Sequence, residues 1–533
     1  MHMQTSYVPN KSSLDPACGD HQAAVSRGAI ARLALNAAKW NYLGVALRII
    51  IQLIAQIVLA RLLGPAEFGY FALCFMVVGV GYVVAEMGLS SALIQNPSLN
   101  GSDVQRVWTS LFASGLLGSG LLIAFSEPLA LLLGNAEAAS YLRFAAAPLF
   151  IQTVASVSLA LLRKSLDFKR IQFAQVTGMV IGQIFVGFAL AAMLHTAWAM
   201  LMAWFVQLLI SWILMFVKVR HKLTLGWPAS KNRLSWFGIR ALAANIANWL
   251  IENLDNLLVA RFFGARSLGL YAVSYNLVRY PTNHLVTTLQ AVLFPTSAAV
   301  QNDQHALRTA YLASLSLVAT VTLPVFATTA IVAEPLILTL YGEEWREAIA
   351  IMQPLALAMP LHAITAVSGP LLWGVNRVGT ESLLQWLVLL CFVGAVLALD
   401  LTSAVHLAWV VFAVYLARAC LLAFSVARLL QLRPIEMMVC FRGPLVLSCI
   451  AGGSSAAALL LAEAHHPIGK MGLAVGIECL LFLVLFWFVP RWVLAPVLAK
   501  VLWRFSSSLP KAFASRIELI AVGGDWHADR PKI

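Results

Sequence analysis

Residues 59–73 and 259–273, 200 positions apart, read almost as copies of one another. The first is Leu59-Ala-Arg-Leu-Leu-Gly-Pro-Ala-Glu-Phe-Gly-Tyr-Phe-Ala-Leu73 and the second Val259-Ala-Arg-Phe-Phe-Gly-Ala-Arg-Ser-Leu-Gly-Leu-Tyr-Ala-Val273. Arg61, Gly64, Gly69 and Ala72 meet Arg261, Gly264, Gly269 and Ala272 without a gap. Each copy closes one long apolar run and opens the next. Its two glycines suit a tight turn between antiparallel helices, and its arginine stands at a helix C-terminus, where a cation suits the dipole and anchors the turn.

Apolar runs of roughly 20 residues, the length that crosses a bilayer core, recur about fourteen times between residues 40 and 490. Only 11% of residues are charged, against roughly a quarter in soluble domains. The interval between the copies contains six runs, an even number. Both copies therefore point the same way across the membrane, as in a parallel repeat about an axis along the membrane normal. The sequence thus predicts an all-α integral membrane fold of about 14 transmembrane helices, with two six-helix lobes and two extra C-terminal helices. The expected divisions are an N-terminal tail 1–38, a first lobe 39–219, a basic linker 220–234, a second lobe 235–430, the last two spans in 431–496, and a tail 497–533.

The net charge of +13 is a matter of orientation, not of nucleic-acid binding. With the N-terminus in the cytoplasm, most Lys and Arg fall on cytoplasmic loops, notably around Arg163–Arg170 and the linker with Lys218, Arg220, Lys222, Lys231 and Arg233. This is the positive-inside pattern, and it predicts a multi-pass protein with both termini cytoplasmic. The seven cysteines lack paired spacing, so neither a disulfide framework nor a metal site is expected, and no cofactor motif is present.

Polar residues within spans are costly and need a reason. Span 7 carries Asn245, Asn248, Glu252, Asp255 and Asn256 on one helical face, and span 8 carries Asn276, Arg279, Asn283 and Thr287. Span 1 carries Arg48, Gln52 and Gln56, each four apart. Depth matching pairs Glu252 with Arg279, and Arg48 with Glu86. These pairs read either as interhelical salt bridges or as cavity groups. In the second reading Arg48, Gln52, Gln56, Asn248, Asn276, Arg279 and Asn283 line a wet path for an anionic substrate. Glu86, Glu252 and Asp255 are then candidates for exchanging a proton or a sodium ion. Prolines 281, 324, 354, 360 and 370 permit bends in spans 8 to 10.

Ala60-Arg-Leu-Leu-Gly-Pro-Ala-Glu-Phe-Gly-Tyr-Phe-Ala72 and Ala85-Glu-Met-Gly-Leu-Ser-Ser-Ala-Leu-Ile-Gln95 resemble the opening of Wzx-type polysaccharide exporters. Asp255-Asn-Leu-Leu-Val-Ala-Arg-Phe-Phe-Gly264, Leu268-Gly-Leu-Tyr-Ala-Val-Ser-Tyr-Asn-Leu277, Leu293-Phe-Pro295 and Leu340-Tyr-Gly-Glu-Glu-Trp345 fit the same pattern. The resemblance covers roughly 39–430 and points to the multidrug/oligosaccharidyl-lipid/polysaccharide superfamily. Glu86 stands where that family more often has Asp. The resemblance implies a V-shaped two-lobed flippase of the bacterial inner membrane. Its cargo would be an undecaprenyl-diphosphate-linked oligosaccharide, and polymerase or glycosyltransferase partners would act before and after it. It transfers no catalytic motif. A small-molecule or multidrug exporter of the same superfamily is the alternative, and it would favour an acidic cavity. A membrane-embedded polysaccharide polymerase is the second, and it would need a large catalytic loop or domain, for which the short loops leave no room.

Overall fold

A computed structural model describes residues 16–95, 100–221, 233–461 and a few positions between 469 and 480. Among the described residues the chain is helical and has no strand. In order the helices are α1 (Pro16–Glu86), α2 (Leu89–Gln95), α3 (Gly101–Ala124), α4 (Ser126–Leu132), α5 (Ala139–Lys164), α6 (Phe168–Met179), α7 (Phe188–Leu194) and α8 (Ala197–Val219). A π-helical stretch, Val180–Gly187, joins α6 to α7. The second half holds α9 (Arg233–Ala299), α10 (Gln304–Ile331), α11 (Ala333–Leu340), α12 (Ala348–Gly374), α13 (Val378–Ala398), α14 (Ala404–Leu429) and α15 (Pro434–Leu461).

Eleven stretches among the described residues are long and apolar enough to cross a membrane. One of them, Lys39–Glu86, has 48 residues. Held straight it would run about 72 Å at 1.5 Å per residue, more than twice a bilayer core, so it has to fold back. It does so at Gly64, whose φ of 73° and ψ of 175° leave the helical region. Arg48 and Tyr82, on opposite sides of Gly64 in sequence, accordingly line one cavity. The second long helix breaks in the same way at Gly264, with φ 78° and ψ 179°. The two copies in the sequence are thus two copies of one hairpin turn, each needing a glycine for its positive φ. The predicted fourteenth span, about 471–490, falls largely outside the described residues.

In the first half, α3, α5, α6 and α8 pack with one another and with α1; in the second, α10, α12 and α14 pack with one another and with α9. The last described helix, α15, lies on α10. The two bundles join chiefly where α1 meets α9. At that junction Gly69 and Gly269 face each other. A Cβ on Gly69 would stand 1.7 Å from the carbonyl oxygen of Ala265, and one on Gly269 would stand 1.9 Å from that of Pro65. The local twofold relation therefore passes between two glycines whose backbones touch. Beside them Trp345, fully buried, meets Phe68 of the first bundle edge-on at 5.8 Å and Tyr341 at 5.6 Å. One apolar core runs from Leu59 and Phe68 through Leu268 and Tyr271 to Trp345.

A second repeat was not picked out from the sequence: Glu127-Pro-Leu-Ala-Leu-Leu-Leu133 matches Glu334-Pro-Leu-Ile-Leu-Thr-Leu340. The pair forms the short helices α4 and α11, each followed by a 3-10 turn, Ala136–Ala138 and Glu343–Trp345. Both short helices reach across to the other bundle. Arg61 donates from Nε to the Leu340 carbonyl at 2.7 Å and from its second terminal nitrogen to the Thr339 carbonyl. It thereby satisfies open carbonyls at the C-terminus of α11. Reciprocally, Asn135, just past α4, donates to the Ala260 carbonyl at 3.0 Å. The arginine of the first copy thus binds protein carbonyls of the opposite bundle.

Candidate functional site

The second bundle pairs several of its polar groups, while Arg418 Nε and His362 Nδ1 are buried without a partner among the described residues. Arg279 donates to Glu252 at 2.6 Å across the two arms of α9, the pair that depth matching predicts. The guanidinium also lies over the Tyr275 ring, 5.1 Å from its centroid. Asp255, 4% exposed, accepts from the Tyr271 hydroxyl at 2.9 Å and from the Asn256 amide nitrogen at 2.8 Å. Tyr275 and Tyr415 share a hydroxyl–hydroxyl hydrogen bond of 3.1 Å, and His362 stacks on Tyr415 at 5.6 Å. Asp255 and Arg418 line a narrow gap of about 20 Å³ between α9, α13 and α14. Asn276 and Asn283 are half-buried, and the Asn248 side chain lies outside the described residues.

The first bundle differs. Its helices enclose a cavity of about 280 Å³ whose polar lining includes Arg48, Tyr82, Gln152, Gln175 and Gln207, with Phe75 and Trp204 beside them. These groups come from both arms of α1 and from α5, α6 and α8. Arg48 has a buried Nε without a partner among the described residues, and Arg163 lies within electrostatic reach of it. Among the described residues no carboxylate lines the cavity. Arg48 stands about 24 Å along its helix from Gly64 at 1.5 Å per residue, so the cavity lies towards the side opposite the Gly69–Gly269 junction.

Three sequence-based placements change. Glu86 does not pair with Arg48. Its carboxylate accepts from the backbone nitrogens of Gly88 at 2.9 Å and Ser90 at 2.8 Å, capping the turn into α2. Gln56 does not line the cavity; it is 4% exposed and donates to the Tyr341 hydroxyl of the second bundle at 3.1 Å. Gln52 is half-buried and does not line the cavity either. Equal depth had suggested the Arg48–Glu86 pairing, but a helix end with open amides competes for a carboxylate as well as a cation does. The glutamines of α5, α6 and α8 escaped the sequence reading because they are neutral amides on three different spans, which only packing brings together. α6 carries a second glutamine, Gln172, which donates to Asn41 at 2.9 Å and does not line the cavity.

Two helical bundles with apolar helices long enough to cross a membrane many times, joined at one side, the first enclosing a polar cavity, form the architecture of a multi-pass membrane transporter. Residues 58–350, more than half of the chain, match the family described as polysaccharide biosynthesis protein, and the chain belongs to that family. It is 26% identical over 335 residues to the succinoglycan biosynthesis transport protein ExoT of Rhizobium meliloti (strain 1021), covering 62% of this chain and 67% of that one. It is 23% identical over 354 residues to the lipopolysaccharide biosynthesis protein WzxC of Escherichia coli (strain K12), covering 64% and 70%. Among solved structures the lipid II flippase MurJ, in an inward closed conformation, superposes with a TM-score of 0.65 at 13% identity, covering 85% of this chain and 99% of that one. The fold is therefore shared with a flippase, and these relatives are transport and biosynthesis-pathway proteins, not enzymes.

Proposed function

We propose that the chain flips an undecaprenyl-diphosphate-linked oligosaccharide from the cytoplasmic to the periplasmic leaflet of the bacterial inner membrane. The product would feed exopolysaccharide, capsule or O-antigen synthesis. The observation that carries this reading is the first-bundle cavity, with an arginine whose Nε is unpartnered, two free amides and, among the described residues, no carboxylate in its lining. A diphosphate bearing sugars loses its hydration in hydrocarbon at great cost, so its headgroup needs a polar, cationic path while its lipid tail stays in the bilayer. With the termini cytoplasmic, as the positive-inside pattern indicates, the Gly69–Gly269 junction faces the periplasm and the cavity faces the cytoplasm. Rocking the two bundles about that junction supplies alternating access, and no bond is made or broken.

Of the three acidic candidates for coupling to H+ or Na+, Asp255 is the best supported. Glu86 caps backbone amides and Glu252 is paired with Arg279, whereas Asp255 is buried with hydroxyl and amide partners. A drug exporter of the same fold would need an anionic cavity for cationic compounds, and the lining residues argue against it. The test is deletion of the gene with separation of the two leaflets. Lipid-linked oligosaccharide should accumulate on the cytoplasmic leaflet, wild type should clear it, and Arg48→Ala at equal abundance should not. Undiminished polysaccharide export by the deletion strain would refute the proposal, and hypersensitivity to cationic drugs instead would favour the exporter.

A further inference from the structure

The first-bundle cavity is built to read a neutral, hydroxyl-rich group and not only to attract an anion. Its lining holds one cation, Arg48, but three amides, from Gln152 on α5, Gln175 on α6 and Gln207 on α8. Gln152, Gln175 and Tyr82 make no hydrogen bond to another described residue. Unpaired polar groups at membrane depth are costly, and three helices bearing the same costly residue onto one space point to a ligand that completes them. An amide offers both a donor and an acceptor, which matches a hydroxyl, itself donor and acceptor, better than it matches a phosphate, which only accepts.

The wall is arranged to hold one of these amides in place. Gln183, 7% exposed and outside the cavity lining, donates to Gln207 Oε1 at 2.9 Å. That bond occupies the acceptor oxygen and leaves the Gln207 Nε2 donors for the cavity. The contact depends on close approach of α6 to α8. A Cβ on Gly178 would stand 2.6 Å from the Gln207 carbonyl oxygen, and one on Gly182 2.5 Å from that of Ala203. Gly178 and Gly182 thus form a small-xxx-small seam, and Gln183 follows it within the π-helical stretch, a feature that often marks functional sites. Trp204 and Phe75, 5.1 Å apart, supply an aromatic side, suited to the apolar C–H face of a pyranose ring.

We propose that this cavity is a saccharide subsite. It takes the sugar next to the diphosphate, with Gln152, Gln175 and Gln207 reading its hydroxyls, the Phe75–Trp204 side contacting its C–H face, and Gln183 acting as a positioning residue for Gln207. The size allows it: the cavity, about 280 Å³, has room for a sugar ring. This rests on the flippase reading above and adds that the first bundle selects among sugars.

The test uses the purified full chain in nanodiscs with farnesyl diphosphate and with farnesyl diphosphate carrying a single glucose, galactose or N-acetylglucosamine. At least one sugar-bearing probe should bind about tenfold tighter than farnesyl diphosphate. Gln175→Leu and Gln207→Leu should cut that ratio below twofold. Gln183→Leu should reduce it in part, and Arg48→Gln should weaken all probes together without changing the ratio. Thermal unfolding identifies any leucine variant that misfolds, and for such a site the shortened Gln→Asn replaces it. Equal binding of all four probes by wild type overturns the subsite and leaves the flippase reading standing. No binding of any probe by folded protein overturns both. A ratio unmoved by the Gln175 and Gln207 substitutions overturns the assignment of these residues.

Discussion

Arg279 and Glu252 show how a single residue's role depends on what else it touches. The arginine is mostly buried (18% exposed) and its partner is open (56% exposed), so removing the glutamate strands a cation while removing the arginine strands little. Glu252→Ala is therefore expected to cost about 1–3 kcal/mol of stability and Arg279→Ala less, each read as a lower melting temperature in detergent. The reversed pair, Glu252→Arg with Arg279→Glu, should recover part of the loss from either single reversal. A reversed pair no more stable than the single reversals would remove the structural role. Arg48 predicts the opposite profile, because no described side chain relies on it: Arg48→Ala should melt within about 0.5 kcal/mol of wild type while losing export. Charges in spans were legible in the sequence because each is conspicuous against an apolar background, and the Glu252–Arg279 pairing follows from depth alone. Glu86 was misjudged because depth cannot tell an arginine from a helix end with open amides. Gln152, Gln175 and Gln207 were missed because neutral amides on three separate spans do not stand out as charges do, and only packing brings them together.

At the scale of elements, the hairpin turn built twice is the part most legible in the sequence. The glycines at 64 and 264 promised a tight turn, and both adopt positive φ at the single break in α1 and α9. What the sequence did not reveal is that Gly69 and Gly269 serve the contact between hairpins, since a glycine that admits another backbone looks the same as one that bends its own. Gly69→Ala or Gly269→Ala puts a methyl into backbone that cannot swing aside, at 1.7 and 1.9 Å from carbonyl oxygens. Each is expected to spread the junction, leaving insertion and abundance within twofold but lowering export by about tenfold or more. Gly101→Ala, where nothing lies within 4 Å, is the matched control. Quantitative immunoblotting beside polysaccharide assay checks this, and wild-type export by Gly69→Ala at normal abundance would show that the close approach is dispensable. The short helices α4 and α11 were hidden for a related reason: they lie inside or beside apolar runs, where a count of spans has no use for them.

Across the whole molecule, two bundles of like ancestry have diverged in how they treat polarity. The second pairs several of its polar groups internally, in Glu252–Arg279, Asp255–Tyr271 and Tyr275–Tyr415, while Arg418 Nε and His362 Nδ1 stay buried without a partner among the described residues. The first keeps Arg48, Tyr82 and two glutamines unspent around open space. On the proposed alternating-access reading the two bundles move against each other, provided that the contacts joining them can break. Besides the glycine contact and the apolar core around Trp345, three polar contacts join them: Arg61 on the end of α11, Gln56 on Tyr341, and Asn135 on Ala260. Arg61 is exposed, so its hydrogen bonds contribute about 1 kcal/mol, roughly a fivefold bias towards the joined state. Arg61→Ala should therefore move the population of the separated state up about fivefold. In a background with the seven cysteines replaced, spin labels at Leu131 and Phe262, on the exposed surfaces of the two bundles, would report this as growth of a longer-distance component. An unchanged distance distribution would mean that the glycine contact and the Trp345 core alone hold the junction, and that the charge shared by the two copies of the turn, Arg61 matched by Arg261, serves folding and not the cycle.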